Sequence, residues 1–204
     1  MLNYLLSHTT PVQPVLQELE RATHLRTLSP QMLAGPYQGM LLQLFSHMIR
    51  PQRILEIGAF TGYGAICLAQ GLAPDGRLHT VEVDDEVLVI AREFIHKAGL
   101  ADRITLHHGD AALIVPQLQE TFDLVYLDAG KLNYIHHYNM VLPMLRPGGF
   151  LLADNVLWDG KVLHDAKDAT AQLLREFNDL VQADDRVENL LLPLRDGMMV
   201  VRRV

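Results

Sequence analysis

The stretch ILEIGAFTGYG, residues 54–64, sets an apolar strand directly before a glycine-rich turn and a helix. A strand that is apolar on both faces belongs to a parallel sheet covered by helices on each side. Gly58, Gly62 and Gly64 allow a sharp turn and a close approach by a ligand, and the following helix offers free N–H groups. Ligands of open parallel sheets bind beyond the carboxyl ends of the strands. The stretch therefore predicts an α/β fold with a nucleotide cofactor at this turn.

The pattern of strand followed by helix continues along the chain. From Arg53 onward, short β-branched runs alternate with longer segments of helical period, which predicts a doubly wound sheet. A helix at ATAQLLREFNDLVQA and a hairpin around the turn RDG should close the chain. Residues 12–49 are predicted helical, with an interruption at 29–39. No linker or repeat appears, so we expect a single domain over residues 1–204, with N-terminal helices in 1–50 and a Rossmann-like core in 51–204.

Composition narrows the classes of function. The chain has 204 residues, 49% of them apolar, and a net charge of -7. That charge disfavours nucleic-acid partners, and no apolar run approaches the length of a membrane helix. The N-terminus shows no secretion signal, so we expect a cytoplasmic protein that acts on a small molecule. Cys67, which has no partner for an intrachain disulfide, is predicted to be a buried apolar residue.

Acidic residues near the glycine turn bear on the identity of the cofactor. Glu82 ends the next strand, where an acid usually binds ribose hydroxyls. The glycine pattern by itself fits a nicotinamide dinucleotide or S-adenosylmethionine. Glu56, on the strand before the turn, would repel a pyrophosphate but suits a cationic sulfonium and an α-ammonium. The alternative for Glu56 is a surface salt bridge. We therefore favour S-adenosylmethionine.

Oxygen-bearing side chains end two later strands. Asp128 follows one of them, and Asp154 with Asn155 ends the next. Consecutive strands are often neighbours, so these side chains should converge and form a site for a hard cation: Mg²⁺, Mn²⁺ or Ca²⁺. Each could instead be a cap or a turn residue. Trp158, just beyond, is either a core aromatic residue or a wall for a planar substrate.

The order and spacing of these motifs match one family. MLAGPYQG, EIGAFTGYG, VEVD, GDA, DAGKLNY, DNVLWDGKV and LPLRDGMMVVRR together resemble the cation-dependent O-methyltransferases, the group of caffeoyl-CoA and catechol O-methyltransferases. The resemblance implies a seven-stranded, mostly parallel sheet with an antiparallel last strand. It also implies S-adenosylmethionine as methyl donor, a divalent cation and often a homodimer.

Site residues follow from the resemblance position by position. The metal ligands would be Asp128, Asp154 and Asn155, the catalytic residues Lys131 and Asp128, and the substrate wall Trp158. The cofactor-binding residues would be Met32, Glu56, Gly58, Thr61, Gly62, Gly64, Glu82, Asp110, Ala111 and Asp128. The sequence departs from the family at Gly64, where serine is common, at Ala34, where a hydroxyl residue often sits, and at Gly130, where a second acid is found.

The predicted reaction is methyl transfer to a hydroxyl of a catechol-like phenol of the vicinal diphenol, caffeoyl or flavonoid type. Lys131 would accept the hydroxyl proton, although a plain salt bridge to Asp128 is the alternative for this lysine. The segment 157–168 and the N-terminal helices would form the acceptor pocket. An NAD(P)-dependent oxidoreductase and a non-catalytic cofactor-binding protein are the other functions open to a chain with this turn.

Overall fold

The computed structural model of the protein describes residues 1–164 and 167–204. The chain consists of two compact units, Met1–Asp110 and Ala111–Val204. The fold contains a seven-stranded sheet that is mostly parallel, with its last strand antiparallel. The predicted α/β class is therefore confirmed, whereas the single domain over residues 1–204 stays a prediction.

The first unit contains helices α1 to α5 and strands β1 to β3. These are α1 Leu2–Ser7, α2 Pro14–Arg26, α3 Gly35–Ile49, β1 Arg53–Ile57, α4 Tyr63–Ala69, β2 Arg77–Glu82, α5 Asp85–Lys97 and β3 Ile104–His108. The strands run parallel in the order β3-β2-β1, with Glu56 of β1 opposite Thr80 of β2. Both faces of β1 are buried beyond its first residue, as the apolar sequence of this strand predicts.

Local capping chemistry sets the helix ends in the first unit. Asp84 caps α5, because its carboxylate accepts a hydrogen bond from the Glu86 amide at 2.9 Å. Gly99, with φ of 69°, lies just beyond the end of that helix, where a left-handed glycine commonly ends a helix. The predicted interruption at 29–39 is too long, because α3 already begins at Gly35. Pro36 supports this start, since proline suits the first turn of a helix.

The second unit contains helices α6 to α9 and strands β4 to β7. These are α6 Ala111–Leu118, β4 Phe122–Leu127, α7 Tyr134–Val141, β5 Leu145–Asp154, α8 Lys161–His164, α9 Ala169–Gln182, β6 Val187–Leu192 and β7 Met198–Arg203. The strand order is β4-β5-β7-β6, with β4 parallel to β5 and β7 antiparallel to both β5 and β6. The predicted C-terminal hairpin is thus confirmed.

The start of β5 differs from expectation. The sequence predicts a helix that runs through residue 149 and a strand from residue 150, but α7 ends at Val141 and β5 begins at Leu145. Pro143 has no backbone N–H to donate, so it cannot continue the hydrogen bonding of α7, and Leu142–Met144 form a short 3₁₀ turn. Leu145 instead pairs with Phe122 of β4. The register shifts between Phe122 and Leu124, so that Leu124 pairs with Phe150.

Two further predictions concern burial and membranes. Cys67 is 1% exposed and lies within α4, as expected for a small apolar side chain. Burial raises the pKa of its thiol above the ordinary range, which makes the thiolate inaccessible at neutral pH. None of the helices formed by the described residues is both long and apolar enough to cross a bilayer.

Candidate active site

The glycine turn after β1, residues 58–62, has the backbone conformation that its sequence predicts. Gly58 and Gly62 have φ of 101° and 88°, values that glycine adopts without steric cost. The Gly58 amide donates to the Val81 carbonyl at 2.9 Å, and the Gly62 amide donates to the Ala59 carbonyl at 2.8 Å. The turn is therefore joined to β2 and folded back on itself before α4 begins.

Glu82 ends β2 as predicted, and its carboxylate also holds the glycine turn. Its Oε2 accepts a hydrogen bond from the Phe60 amide at 2.7 Å. Its Oε1 accepts from the amides of Val83 at 2.9 Å and Asp84 at 3.1 Å. Hydrogen bonds to an ionised acceptor are the stronger kind, so this carboxylate fixes the turn beside which a ribose would bind. Only the Glu82 position, and not its bond to Phe60, was predicted from the sequence.

Glu56 is buried rather than exposed. Its side chain is 1% accessible, and its Oε2 accepts a hydrogen bond from the Thr80 hydroxyl at 2.5 Å. The surface salt bridge considered as an alternative for this residue is therefore wrong. A buried carboxylate next to the turn is costly unless polar or cationic groups compensate it. Glu56 thus places negative charge in the first unit where a cationic ligand would be favoured.

The other predicted cofactor residues lie in varied surroundings. Thr61 is fully buried, and its hydroxyl is 3.0 Å from that of Thr23 on α2. Gly64 is buried in α4, and Met32 is 59% exposed in a 3₁₀ turn. Asp110, the last residue of the first unit, is exposed. Ala111, which begins α6 in the second unit, is buried. Their contacts with a cofactor stay predictions.

Two of the predicted metal ligands, Asp128 and Asp154, lie at the ends of neighbouring strands. Leu127 of β4 pairs with Ala153 of β5, so Asp128 and Asp154 follow side by side. The Tyr126 hydroxyl lies 3.2 Å from Oδ2 of Asp128 and 3.5 Å from Oδ2 of Asp154, which shows how near the carboxylates are to each other. Asn155 comes next, with a left-handed φ of 58°. The two carboxylates therefore lie close together in the second unit, whereas metal binding by these residues and by Asn155 stays a prediction.

Asp128 and Asp154 lie close enough to influence each other electrostatically. Burial raises the pKa of Asp128 to about 6, and Asp154 adds to the increase, while Lys131 opposes it. Lys131 Nζ lies 3.2 Å from Oδ1 of Asp128, so the salt bridge considered as an alternative role is present. Two carboxylates and one amide are oxygen donors of the kind that suits a hard cation. These residues fit the predicted divalent ion.

The histidines do not change this assignment. Within residues 1–164 and 167–204, no group of three or more His, Cys, Asp or Glu side chains is arranged to hold a metal ion. The predicted metal ligands are not such a group, because only two of them are acids and the third, Asn155, is an amide. His79 and His107 stack on each other in the first unit, and His137 is buried in α7. These three are packing residues, as expected for most histidines of the chain.

Two tyrosines of this site were missed by the sequence analysis. Tyr126 precedes Asp128 by two residues, and the alternation of a strand places both on one face. Tyr134 follows Lys131 by three residues, and its hydroxyl accepts a hydrogen bond from Lys131 Nζ at 2.7 Å. Burial, followed by the charges of Asp128 and Asp154, raises the pKa of Tyr134 well above its ordinary value. The spacing of Tyr126 from Asp128 and of Tyr134 from Lys131 could have identified both tyrosines from the sequence.

The predicted acceptor pocket is described only in part. Trp158 is half-buried with φ of 49°, which supports neither the core nor the wall interpretation over the other. The predicted pocket segment 157–168 includes residues 165 and 166, which lie outside the described residues. Gly130, where the family pattern has an acid, is exposed, and no atom would meet an added Cβ there within 4 Å.

Comparison with known proteins agrees with this geometry. A catechol O-methyltransferase of Niastella koreensis is 35% identical over 170 residues, covering 81% of this chain and 77% of that protein. Caffeoyl-CoA O-methyltransferase 1 of Eucalyptus globulus is 31% identical over 179 residues, covering 82% of this chain and 73% of that protein.

Solved structures show the same fold. The O-methyltransferase of Bacillus cereus in complex with SAH has a TM-score of 0.92 at 30% identity and covers 99% of this chain and 96% of that one. The SAH-bound methyltransferase PaMTH1 of Podospora anserina has a TM-score of 0.91 at 27% identity, covering 99% and 93%. These matches give no support to the oxidoreductase alternative. Because the O-methyltransferase family model matches residues 6–204, the chain belongs to the O-methyltransferase family.

Proposed function

We propose that the protein is an S-adenosylmethionine-dependent, divalent-cation-dependent O-methyltransferase of catechol-like phenols. Family membership supports the reaction class, and relatives named for catechol and caffeoyl-CoA support a vicinal diphenol or a caffeoyl- or flavonoid-type acceptor. The single observation that carries the cation requirement is the pairing of Asp128 and Asp154 at adjacent strand ends, with the Lys131 ammonium 3.2 Å from Asp128.

The first unit would bind the methyl donor. The buried Glu56 carboxylate would favour the donor's cationic sulfonium and ammonium groups, since opposite charges attract strongly where water is excluded. The Glu82 carboxylate has about four acceptor sites, and because three backbone amides use three of them, one stays available for a ribose hydroxyl. The glycine turn would allow the donor to approach the backbone closely. SAH in the Bacillus cereus structure supports this use of the fold.

The second unit would activate the acceptor. Methyl transfer needs a deprotonated oxygen held in line with the methyl group, so positioning supplies much of the rate. Asp128, Asp154 and Asn155 would hold a divalent cation, which supplies a Lewis acid that lowers the pKa of an acceptor hydroxyl. Lys131 would take the hydroxyl proton on Nζ when that nitrogen is neutral. The Lys131 side chain is 10% exposed, so bulk water is largely kept away from it.

Replacing Asp154 by Ala tests this proposal. We expect the variant to lose cation-dependent methylation of caffeoyl esters and simple catechols, because it removes a buried ligand carboxylate. Donor affinity should stay near that of the wild type, because Glu56 and Glu82 are untouched. The measurements are methyl transfer with and without Mg²⁺ and donor binding by calorimetry. Asp179→Ala, which removes an exposed carboxylate from α9, is the matched control.

Two results would contradict the proposal. Wild-type transfer that is unchanged in excess chelator would exclude the cation requirement. Donor binding without transfer to any catechol, caffeoyl ester or flavonoid would instead favour a non-catalytic cofactor-binding protein. Mn²⁺ and Ca²⁺ belong in the same screen, because the ligand set suits each of them. The homodimer and the cytoplasmic location stay predictions, and light scattering of the purified protein tests the first.

A further inference from the structure

Tyr134 occupies a position at which several parts of the acid-pair site meet. Its hydroxyl oxygen lies 2.7 Å from Lys131 Nζ, 2.7 Å from the carbonyl oxygen of Asp154 and 3.0 Å from that of Leu127. The two carbonyls belong to the last residues of β5 and β4. One side chain therefore contacts the lysine and both strand ends that carry the acids.

The hydrogen-bonding capacity of a phenol accounts for all of these contacts. A tyrosine hydroxyl has a single proton to donate and lone pairs to accept. Because an ammonium group only donates, the Tyr134 oxygen accepts from Lys131, and its single proton is shared between the carbonyls of Asp154 and Leu127 in a three-centre hydrogen bond. Lys131 Nζ also donates to Oδ1 of Asp128, so the hydroxyl and the carboxylate hold the nitrogen from two sides.

The ring of Tyr134 has little freedom to move. The residue is 1% exposed, and its ring packs edge-on against Phe177 of α9 at 5.3 Å between centroids. Lys131 Nζ also lies 4.7 Å from the centroid of the Tyr134 ring, within the range of a cation–π contact. A ring held in this way gives the hydroxyl a fixed location relative to the strand ends.

We propose that Tyr134 is a positioning residue for the methyl transfer, which fixes the Lys131 amine and the spacing of the strand ends that bear Asp128 and Asp154. This inference rests on the proposed function, because it assigns Lys131 the proton and the acids the cation. Tyr134 does not touch the reacting atoms. It acts through Lys131 and through the backbone of the acid-bearing residues, and small displacements of such groups are costly to catalysis.

Tyr134→Phe removes only the hydroxyl and retains the ring. The matched control is Tyr138→Phe, one helical turn later in α7. Tyr138 is equally buried, and its ring also packs edge-on against Phe177, at 6.0 Å. Its hydroxyl, however, donates to Asp184 at 2.9 Å, away from the lysine and the acids. Both variants therefore lose one buried phenol hydroxyl, and only one of them changes the site.

We expect Tyr134→Phe to lower kcat by about 10- to 100-fold, the usual effect of losing an orienting partner, with KM for the donor unchanged. Mg²⁺ affinity, measured by calorimetry without an acceptor, should fall by about tenfold. Acetylation of Lys131 by an activated ester, followed by mass spectrometry, should be faster than in the wild type because the amine is less constrained. Tyr138→Phe should leave all three quantities at wild-type values.

Thermal melting shows whether each variant is folded at the assay temperature, and the assays are run below the lower transition. Wild-type kcat, cation affinity and Lys131 acetylation in a folded Tyr134→Phe would overturn the inference. Equal changes in both variants would also overturn it, since they would reflect lost stability alone. If the wild type methylates no phenol, the proposed function fails, yet cation affinity and Lys131 acetylation still decide the role of Tyr134.

Discussion

Single acidic residues of the first unit accept hydrogen bonds from neighbouring groups of the protein. Glu82 accepts hydrogen bonds from three backbone amides, one of them in the glycine turn and two in the residues that follow β2. Glu56 accepts from Thr80 while almost completely buried. Each carboxylate is therefore oriented before a ligand arrives, which reduces the cost of ordering it on binding.

Glu82→Gln should weaken donor binding by at least about tenfold and lower the free energy of unfolding by about 1 to 3 kcal/mol. The amide removes the charge that strengthens the bonds from Phe60, Val83 and Asp84, and its NH₂ group would face a backbone donor. Calorimetry with S-adenosylmethionine and urea unfolding measure the two effects. Glu86→Gln, an equal charge change at an exposed position of α5, should show neither effect. A wild-type donor affinity in Glu82→Gln would refute the ribose-binding role.

At the level of elements, the glycine turn approaches α5 closely at one point. An added Cβ at Gly62 would lie 3.3 Å from the Ala91 Cβ, and the backbone there has φ of 88°. Both facts make glycine the residue that this junction requires. In the second unit, the ends of β4 and β5 are joined through Tyr134, so elements that are adjacent in the sheet are also linked by a side chain.

Gly62→Ala should lower the free energy of unfolding by about 1 to 2 kcal/mol, the cost of a side chain in a left-handed conformation. The crowding against Ala91 can only add to this loss. Gly130→Ala is the control, because Gly130 has φ of -55° and no atom within 4 Å of an added Cβ. Its stability should stay within about 0.5 kcal/mol of the wild type. Urea unfolding that shows equal stability for both variants would contradict the argument from conformation.

At the scale of the whole molecule, acidic residues outnumber basic ones, 24 against 17. The protonation of carboxylates therefore bears on how stability changes at low pH. Asp184 is a carboxylate that the fold keeps charged. Arg186 donates to it from both its guanidinium and its amide, and Tyr138 donates at 2.9 Å. The Arg186 hydrogen bonds are the main reason that the pKa of Asp184 lies below its usual value.

A depressed pKa stabilises the folded protein above the unfolded value of about 3.9, and this contribution is lost as the pH falls towards the folded value. Asp184→Asn should therefore be less stable than the wild type by about 1 kcal/mol at neutral pH, since solvent around Arg186 screens the pair. The difference should shrink below about pH 4. Urea unfolding over this pH range measures it, with the exposed Asp185→Asn as control. A difference that does not depend on pH would contradict the linkage.

Much of the fold was predictable because it depends on local chemistry. The alternation of apolar strands and amphipathic helices, the capping by Asp84 and the glycine turn all follow from residues within a few positions of one another. The start of β5 was not predictable in this way. Its first residue pairs with Phe122, more than one element earlier, and a strand edge set by a distant partner leaves little trace in the local pattern.

The α/β class, the family resemblance and the positions of Glu56, Glu82, Asp128 and Asp154 at or near strand ends are evident from the residue pattern. Which groups those acids contact depends on the folded arrangement of the strands. Strand register sets Thr80 beside Glu56 and Asp154 beside Asp128, and a shift of one residue would turn each side chain to the opposite face. Hydrogen bonds are short and directional, so partners such as Phe60 and Tyr134 follow from coordinates rather than from spacing along the chain.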